Sequence, residues 1–281
     1  MEPSDRVVRA ITNDNAFRVI TIRATETVRA AVKAQKATGK TAEWFGELLT
    51  GTVLVRETMS PDLRVQTILQ GEEGAGSLVG DALPQGKTRG LVNSKAGSSF
   101  VPNASARLQV VRTMARGQLH QGIVQVGPDI SNALTAYMVN SEQVVSEIGL
   151  GCLSDEDGIK MAGGYIVQIL PEHTAEAMRV MTARLQALPE PRQLLEETAC
   201  DPDRLLAALL GELPHTRVNE SEIGFGCLCD QARVVGALAS LGKEEIRRII
   251  EAQEVLSIAC DYCGTQYQVS PGELRGLLDN S

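Results

Sequence analysis

Two cysteine pairs near the carboxyl end decide how that part of the chain folds: Cys227-Leu228-Cys229 and Cys260-Asp261-Tyr262-Cys263-Gly264. Four thiolates satisfy the tetrahedral coordination of Zn²⁺, and a C-x-x-C turn lets two of them hold one ion. Gly264 can complete that tight turn. The spacing therefore predicts one zinc site per chain, with four ligands: Cys227, Cys229, Cys260 and Cys263.

The residues around the second pair are extended in pattern, over 255–259 and 265–269, which predicts a hairpin. That context disfavours a disulfide oxidoreductase of the thioredoxin type, in which the C-x-x-C lies between a strand and a helix. Ser270, Pro271 and Glu273 then have the pattern of a capping box at the start of a last helix. We expect a small zinc-binding domain over 225–281.

The cysteine spacing leaves two roles for the metal open. One is a permanent clip that lets a module with a small core fold. The other is a redox switch, because an oxidant that joins two thiolates removes half of the ligands and releases the ion. If it is a switch, we expect Cys260–Cys263 to form before Cys227–Cys229, since a C-x-x-C bridge is less strained than a C-x-C bridge.

Upstream of the cysteines the chain is helical and acidic. Pro171 ends a strand-rich region, and helices are predicted over 172–188, 192–199 and 202–210, the last of them capped by Asp201. Residues 190–222 carry eight acidic and three basic side chains. Short helices of this kind depend on docking to another surface. Residues 172–224 are therefore predicted to be a helical, acidic linker of marginal stability.

Residues 1–171 have the pattern of an α+β domain. A strand is predicted over 17–24, a helix over 26–37 capped by Thr25, and a second helix from Thr41. Long runs of sheet with a few inserted helices, and no regular βαβ alternation, predict a mixed sheet. The other predicted elements are strands over 63–70, 90–93, 106–112, 121–126, 143–150 and 159–170, and a helix that Pro128 opens.

Composition excludes several classes of protein. The chain has 281 residues, 43% of them hydrophobic, and a formal charge of −8, which is typical of a globular protein and argues against nucleic-acid binding. Residues 1–171 carry 17 charges of each sign, so the last 110 residues carry the whole excess of acid. No apolar run approaches a membrane span, and the first residues lack the apolar core of an export signal. We expect a cytoplasmic protein that binds neither membrane nor nucleic acid.

No group of residues predicts catalysis. The three histidines, His120, His173 and His215, lie far apart in the sequence with no nucleophile or ligand spacing beside them. Cys152 lies at a strand end and is expected to be buried as a small hydrophobe, whereas Cys200 lies in the linker and could form incidental mixed disulfides. The sequence therefore predicts a protein that is not an enzyme.

The cysteine pattern resembles the redox-regulated 33-kilodalton heat-shock chaperones, bacterial holdases that work without ATP. The C-x-C, the intervening residues 230–259 and the C-x-x-C-G are all similar to the zinc switch of that family. The likeness extends over most of the chain. It includes runs at 87–92 (KTRGLV), 120–124 (HQGIV), 141–143 (SEQ, after Tyr137) and 162–171 (AGGYIVQILP).

This resemblance implies an N-terminal α+β domain, a helical linker and a C-terminal zinc domain. It implies that the reduced, zinc-bound protein is inactive and that oxidation forms the disulfides Cys227–Cys229 and Cys260–Cys263 with release of zinc. The linker then unfolds, the protein dimerises, and apolar surface binds unfolding client proteins. The acidic segment at 190–222 matches that linker in position.

One departure lies beside the first pair, where this chain has Asp230-Gln231-Ala232-Arg233 and the family often has Ser-Arg-Glu-Arg. Both cysteines are retained, so the departure concerns how readily oxidation exposes the linker, since neighbouring charges influence thiolate reactivity. The leading hypothesis is an oxidation-activated holdase. The alternative is a constitutive zinc-clipped binding protein whose metal never cycles.

Overall fold

The computed structural model describes residues 4–72, 76–93, 100, 105–114, 117–126, 129–253 and 255–279. The chain forms two compact units, Met1–Gly226 and Cys227–Ser281. Sheets and helices alternate irregularly in the first unit, and the second contains one hairpin among three helices. The predicted α+β class is confirmed.

An antiparallel sheet of five strands lies at one side of the first unit. Adjacent strands pair through continuous ladders, with register shifts at Arg9/Ala10 and at Leu153/Ser154. In spatial order the strands are β10 (His215–Glu222), β1 (Arg6–Thr12), β2 (Phe17–Arg23), β9 (Gly158–Ile169) and β8 (Ser146–Asp155).

A second sheet of six strands is antiparallel except at one edge, where the shortest strand pairs in parallel. That shortest strand, Gly224–Phe225, ends two residues before Cys227 in the sequence. The spatial order is β11 (Gly224–Phe225), β5 (Lys87–Asn93), β4 (Ser77–Ala82), β3 (Arg64–Gln70), β6 (Arg107–Thr113) and β7 (Leu119–Gln125).

One buried helix joins the two sheets into a single core. Helix α2 (Gly39–Glu57) contacts β3 and β4 of the six-stranded sheet and β8 and β9 of the other. Phe45, Leu48 and Leu54 are completely buried on it, and almost all its other residues from Thr41 onward are buried as well. A helix that is buried on almost every side requires such surroundings. The flanking helices are α1 (Thr25–Gln35) and α3 (Ile130–Asn140).

Three further helices, α4 (Ala175–Ala187), α5 (Pro191–Glu197) and α6 (Pro202–Leu210), form a second core with the five-stranded sheet. Thr174 and Asp201 cap the first and last of them, each accepting a backbone N–H three residues on. Apolar side chains of the sheet meet those of the helices in this core. The sheet supplies Val8, Ala10, Val19, Tyr165 and Val167, and the helices supply Met181, Leu194, Leu195, Leu205, Leu206, Leu209 and Leu210.

Glycines in β8 and β9 let these helices approach the sheet closely. A Cβ on Gly151 would lie 2.7 Å from a Leu195 methyl carbon, and one on Gly163 would lie 2.5 Å from Cys200 Sγ. Cys200 is 1% exposed and its thiol faces the Ala162 carbonyl oxygen at 3.3 Å. The expectation that Cys200 forms incidental mixed disulfides does not suit this buried position.

The second unit has a small core. Helices α7 (Gln231–Leu238), α8 (Lys243–Glu251) and α9 (Pro271–Asp279) surround the hairpin β12 (Leu256–Ala259) and β13 (Gln266–Val269). Only Ile246, Val269 and Leu274 are buried apolar residues among those described. The predicted hairpin and capping box are both present, and Ser270 Oγ and Glu273 make the reciprocal bonds.

The structure corrects the helical character of residues 172–224. Helices end at Leu210, and residues 215–222 form strand β10 at the edge of the five-stranded sheet. The sequence of this edge strand does not indicate a strand, because almost all its residues are exposed. A strand with no buried face need not alternate apolar and polar residues. The helices also belong to the compact unit that begins at Met1. That residues 172–224 act as a separate linker therefore stays a prediction.

Smaller differences have similar causes. Strands β1 and β4 were not predicted, and the Thr25 hydroxyl bonds the Ala162 carbonyl oxygen instead of capping α1. Pro128 lies outside the described residues, and helix α3 begins at Ile130 with Asp129 as its cap. The pairing of β1 and β4 and the hydrogen bond of Thr25 depend on partners distant in sequence, which local patterns do not reveal.

We predict that Gly163→Ala destabilises the first unit. Its new Cβ would lie 2.7 Å from the Ile22 carbonyl oxygen, a backbone atom that cannot move aside, so about 1–3 kcal/mol of unfolding free energy should be lost. Urea unfolding followed through Trp44, the single tryptophan, measures this. Gly224→Ala, whose Cβ meets no atom within 4 Å, is the control. Equal stability of the two variants would contradict the close packing described.

Candidate metal centre

The four predicted cysteine ligands lie together in the second unit. Their sulfur atoms are all within 4.8 Å of one another. Cys227 Sγ lies 3.7 Å from Cys260 Sγ, and Cys229 Sγ lies 3.4 Å from Cys263 Sγ. A tetrahedral ion with bonds of about 2.3 Å to sulfur would separate its ligands by about 3.8 Å. The four sulfurs are therefore compatible with Zn²⁺ coordination.

The first pair is positioned by the start of helix α7. Asp230 caps that helix, its carboxylate accepting the Arg233 backbone N–H at 2.8 Å. The Arg233 guanidinium in turn donates to the carbonyl oxygen of Leu228, the residue between the two cysteines. Asp230 and Arg233 thus hold the backbone of the C-x-C segment. The departure from the family pattern at 230–232 therefore includes the cap of this helix.

The second pair lies at the tip of the β12–β13 hairpin. The Gly264 N–H donates to the Cys260 carbonyl oxygen at 2.7 Å, and the Cys260 N–H donates to the Thr265 carbonyl oxygen at 2.9 Å. Gly264 adopts φ +73°, a left-handed conformation that favours glycine. These bonds close a tight knuckle, as the sequence predicted, so Cys260 and Cys263 are held at one end of the hairpin.

Two hydroxyl groups contact the sulfurs, one from strand β13 and one from the residue just before it. Tyr267 Oη donates to Cys229 Sγ at 3.1 Å, and Thr265 Oγ1 lies 3.2 Å from Cys263 Sγ. Hydrogen bonds from such neighbours orient metal ligands and tune their basicity. The hairpin therefore supplies two ligands and also contacts one ligand of the other pair. Sequence reasoning missed both hydroxyls, although their positions two and four residues after Cys263 are a usable signal.

In the metal-free state, Cys229, Cys260 and Cys263 have different surroundings, which give their thiols different pKa values. Partial burial acts to raise the pKa of Cys263, but hydrogen bonds from Thr265 and from the sulfurs of Cys229 and Cys260 together outweigh it and lower that pKa to about 7. The Tyr267 hydrogen bond acts to lower the pKa of Cys229, yet burial and the neighbouring sulfurs raise it to about 12. Burial also raises the pKa of Cys260. Cys263 is thus the most readily ionised of these three thiols.

The two remaining cysteines lie elsewhere and are shielded. Cys152 is fully buried in β8, as predicted, and burial raises its pKa; burial likewise raises the pKa of Cys200 to about 12. The histidines His120, His173 and His215 are exposed and take no part in the sulfur cluster. Among the described residues, the four-cysteine cluster is the only group of three or more potential ligands arranged to hold a metal ion.

These observations define a class of protein: an α+β chain that carries a separate, small unit built around a four-cysteine metal site. Comparison with known proteins identifies the family. The model of the family described as "Hsp33 protein" matches residues 5–270, and the chain belongs to the Hsp33 family of chaperones.

Curated relatives span the same length. The chain is 30% identical to a 33 kDa chaperonin of Syntrophotalea carbinolica, with 98% of this chain and 99% of that protein aligned. It is also 30% identical to a 33 kDa chaperonin of Listeria monocytogenes, with 99% of each aligned. A crystal structure of the 33 kDa chaperonin from Thermotoga maritima has the same fold, with a TM-score of 0.85, 23% identity and 99% of both chains covered.

In the described parts of the chain, no helix combines the length and apolarity that crossing a bilayer requires.

We predict that Tyr267→Phe weakens metal binding without removing a ligand. The variant loses the hydrogen bond to Cys229 Sγ, and losses of this kind typically reduce metal affinity about 10–100-fold. Competition with a chromogenic chelator measures the change. The matched control is Ser257→Ala, which removes a hairpin hydroxyl that bonds Gln266 and Gln268 but no sulfur. If both variants bind metal as tightly as the parent chain, the Tyr267 hydroxyl does not support the site.

Proposed function

We propose that this protein is a redox-regulated, ATP-independent holdase whose sensor is one Zn²⁺ held by Cys227, Cys229, Cys260 and Cys263. The observation that carries the proposal is the sulfur cluster itself, four thiols within 4.8 Å in a unit whose own core is small. When bound, the ion would hold the C-x-C segment and the hairpin tip together through its four thiolate bonds. Family membership supports the chaperone activity.

Oxidation would convert this cluster into two disulfides. For each pair, two thiolates would lose two electrons to hydrogen peroxide, which would take up two protons from the solvent and be reduced to two molecules of water while one S–S bond forms. We propose the pairs Cys227–Cys229 and Cys260–Cys263, whose members are neighbours in sequence and lie on one segment each. Disulfide sulfurs no longer act as thiolate ligands, so zinc would be released.

Loss of the metal would unfold the second unit. Structural zinc sites contribute about 10–16 kcal/mol of apparent binding free energy, more than the whole stability of many small domains. Three buried apolar residues among those described cannot replace that amount. The oxidised unit would therefore lose its fold, which is the first consequence that the switch requires.

The client-binding surface would come from the core beneath helices α4 to α6. Those helices cover apolar side chains of the five-stranded sheet, such as Val8, Val19 and Val167, with their own leucines. Release of the helices would expose both apolar faces at once. Extended apolar surface is what an unfolding protein can bind. The segment 190–222, with eight acidic and three basic side chains, would keep the opened protein from aggregating.

Polar contacts also hold these helices, among them Arg192 of α5 with Glu43 and Glu47 of α2, and the Thr21 hydroxyl with the Pro202 carbonyl oxygen. Arg6 pairs with Asp201 at 3.2 Å and with Asp203 at 2.7 Å, and exposed pairs of this kind contribute about 0–1 kcal/mol each. Arg184 donates to the carbonyl oxygens of Leu209 at 2.5 Å and Ala208 at 2.7 Å, so α4 caps the end of α6. Docking therefore combines apolar contact with ion pairs and hydrogen bonds, all of them noncovalent and compatible with reversible release.

The proposal extends to partners and place of action. Clients would be unfolded or partly unfolded proteins, the activated form would be a homodimer, and neither membrane nor nucleic acid would be a partner. A thiolate sensor needs a compartment that is normally reducing, which supports action in the cytoplasm.

The direct test is chaperone activity before and after oxidation. We expect the reduced, zinc-loaded chain to leave the aggregation of a thermally unfolding client unchanged, and peroxide treatment to suppress that aggregation while zinc is released to a chromogenic dye. Cys152→Ala, which keeps all four ligands, should switch in the same way. If oxidised protein loses zinc but protects no better than reduced protein, the constitutive zinc-clipped alternative is favoured instead.

Weaker docking of α6 should lower the threshold of activation. Leu209→Ala removes a fully buried side chain between α6 and the sheet, at a cost of about 2–5 kcal/mol, so client protection should appear at a lower peroxide dose. Leu69→Ala, an equally buried site on β3 in the other core, is the matched control. If Leu69→Ala lowers the threshold as much as Leu209→Ala, general instability and not helix release activates the protein.

The order of disulfide formation can be mapped by mass spectrometry after limited peroxide treatment. We expect Cys260–Cys263 to form first, because a C-x-x-C bridge is less strained than a C-x-C bridge. Thiols blocked by alkylation at successive times identify the bridge that appears earliest. Earlier appearance of Cys227–Cys229 would contradict this order.

A further inference from the structure

Strand β10 lies at the edge of the five-stranded sheet and supplies no side chain to either apolar core described for the first unit. Seven of its eight residues are exposed, and the other, Ser221, is half-buried. The other four strands of this sheet all have buried apolar residues. Strand β10 is therefore held to β1 by the backbone ladder and by surface contacts, without the apolar burial that fixes its neighbours.

The ladder between β1 and β10 is interrupted. Its register shifts between Arg9 and Ala10, which pair with Asn219 and Arg217. Val218 is left outside the pairing and is 58% exposed. A bulge of this kind disrupts the ladder locally, so it weakens the attachment of β10 to β1.

The two ends of β10 are held differently. Its amino end follows helix α6, which the proposed function releases, and this step of the inference rests on that function. Its carboxyl end leads to Ile223, which is buried in the core around α2 and whose N–H donates to the Asp5 carbonyl oxygen at 3.2 Å. Departure of α6 would therefore let β10 separate from β1 starting at His215, with Ile223 as the fixed end.

Strand β1 would then be an open edge beside apolar surface. Val7 is completely buried in the core around α2, and Val8 and Ala10 are completely buried in the core beneath α6. Because Val7 stays in the deep core, β1 would keep its place while its outer N–H and C=O groups lose their partners. An open row of such groups is a template for pairing with another extended chain.

The charge at this edge indicates the kind of chain that fits. Arg6 of β1 pairs with Asp201 of α6 at 3.2 Å and with Asp203 of the same helix at 2.7 Å. It also pairs with Glu220 of β10 at 2.9 Å. All three carboxylates lie on the elements that would leave, so Arg6 would lose them together. A segment that carries its own carboxylate would replace them.

A second copy of β1 does not supply that carboxylate. The strand, Arg6–Thr12, has two arginines and no acidic residue, so self-pairing would bring like charges close together. Strand addition to a sheet edge is a common way to bind an extended peptide. We propose that the activated protein binds clients in this way: an extended client segment, apolar on the face that α6 uncovers and acidic near Arg6, pairs with β1 in place of β10.

The test uses the full chain after peroxide treatment and a short synthetic peptide of alternating apolar and polar residues that ends in glutamate. In an antiparallel pair, alternate residues direct both N–H and C=O to the same neighbouring strand. N-methylation of one alternate set should therefore weaken binding about 10–100-fold, through loss of several backbone hydrogen bonds, and N-methylation of the other set should leave it unchanged. Fluorescence anisotropy of the labelled peptides measures the affinities.

Hydrogen exchange locates the bound peptide. Residues 6–12 should lose part of their protection on oxidation and regain it when the peptide binds, whereas residues 119–125, the edge strand β7 of the other sheet, should not change. Arg6→Gln should weaken binding of the peptide that ends in glutamate but not of one that ends in glutamine. Arg107→Gln, which removes an exposed cation from β6, is the matched control and should affect neither.

The outcomes separate strand addition from the proposed function. If oxidised protein protects clients and both methylated peptides bind as tightly as the parent peptide, the chaperone function stands and strand addition is refuted. New protection over 119–125 in place of 6–12 also refutes it. Recovery of 6–12 in oxidised protein without peptide would assign the edge to a second copy and refute it as well. If oxidised protein protects no client and binds no peptide, both proposals fail.

Discussion

Four sulfur atoms at tetrahedral spacing are the interaction on which the second unit depends. Its described core has three buried apolar residues, and its hairpin and helices are otherwise half exposed. A unit of this size gains little from apolar burial, so in the proposed function bonds between the thiolates and a metal ion would supply most of its stability. A fold with so few other contacts responds strongly to the chemical state of those four atoms, which suits it to be a sensor.

The first unit is organised in the opposite way. Its central helix α2 is buried between two sheets, whereas α4 to α6 cover one face of the five-stranded sheet through leucines and glycine-mediated close approach. The deep core can therefore persist when the covering helices leave. In the proposed function no nucleotide hydrolysis would be needed, because the free energy for exposing the apolar surface would come from an oxidant acting on the four cysteines.

The sequence predicted the clustering of the four cysteines because its signal is local. Cysteine spacing, the glycine of the knuckle and the capping box at Ser270 all act within a few residues. Tyr267 and Thr265 were missed because their role appears only when the hairpin places their hydroxyls on the sulfurs. Strand β10 and the burial of Cys200 were missed for a related reason, since both depend on pairing with the distant strands β1 and β9. Local sequence pattern indicates helices and strands, whereas tertiary contacts determine which strands lie at a sheet edge and how deeply a residue is buried.

We propose that oxidation of the four cysteines releases helices α4 to α6 from the sheet that they cover. Hydrogen exchange of the intact chain, measured by mass spectrometry before and after peroxide treatment with zinc release monitored in parallel, tests it directly. The account predicts that peptides from 175–210 lose protection as zinc leaves, while peptides from β2, β9 and α2 keep it. Unchanged protection over 175–210 in fully oxidised, zinc-free protein would contradict the account.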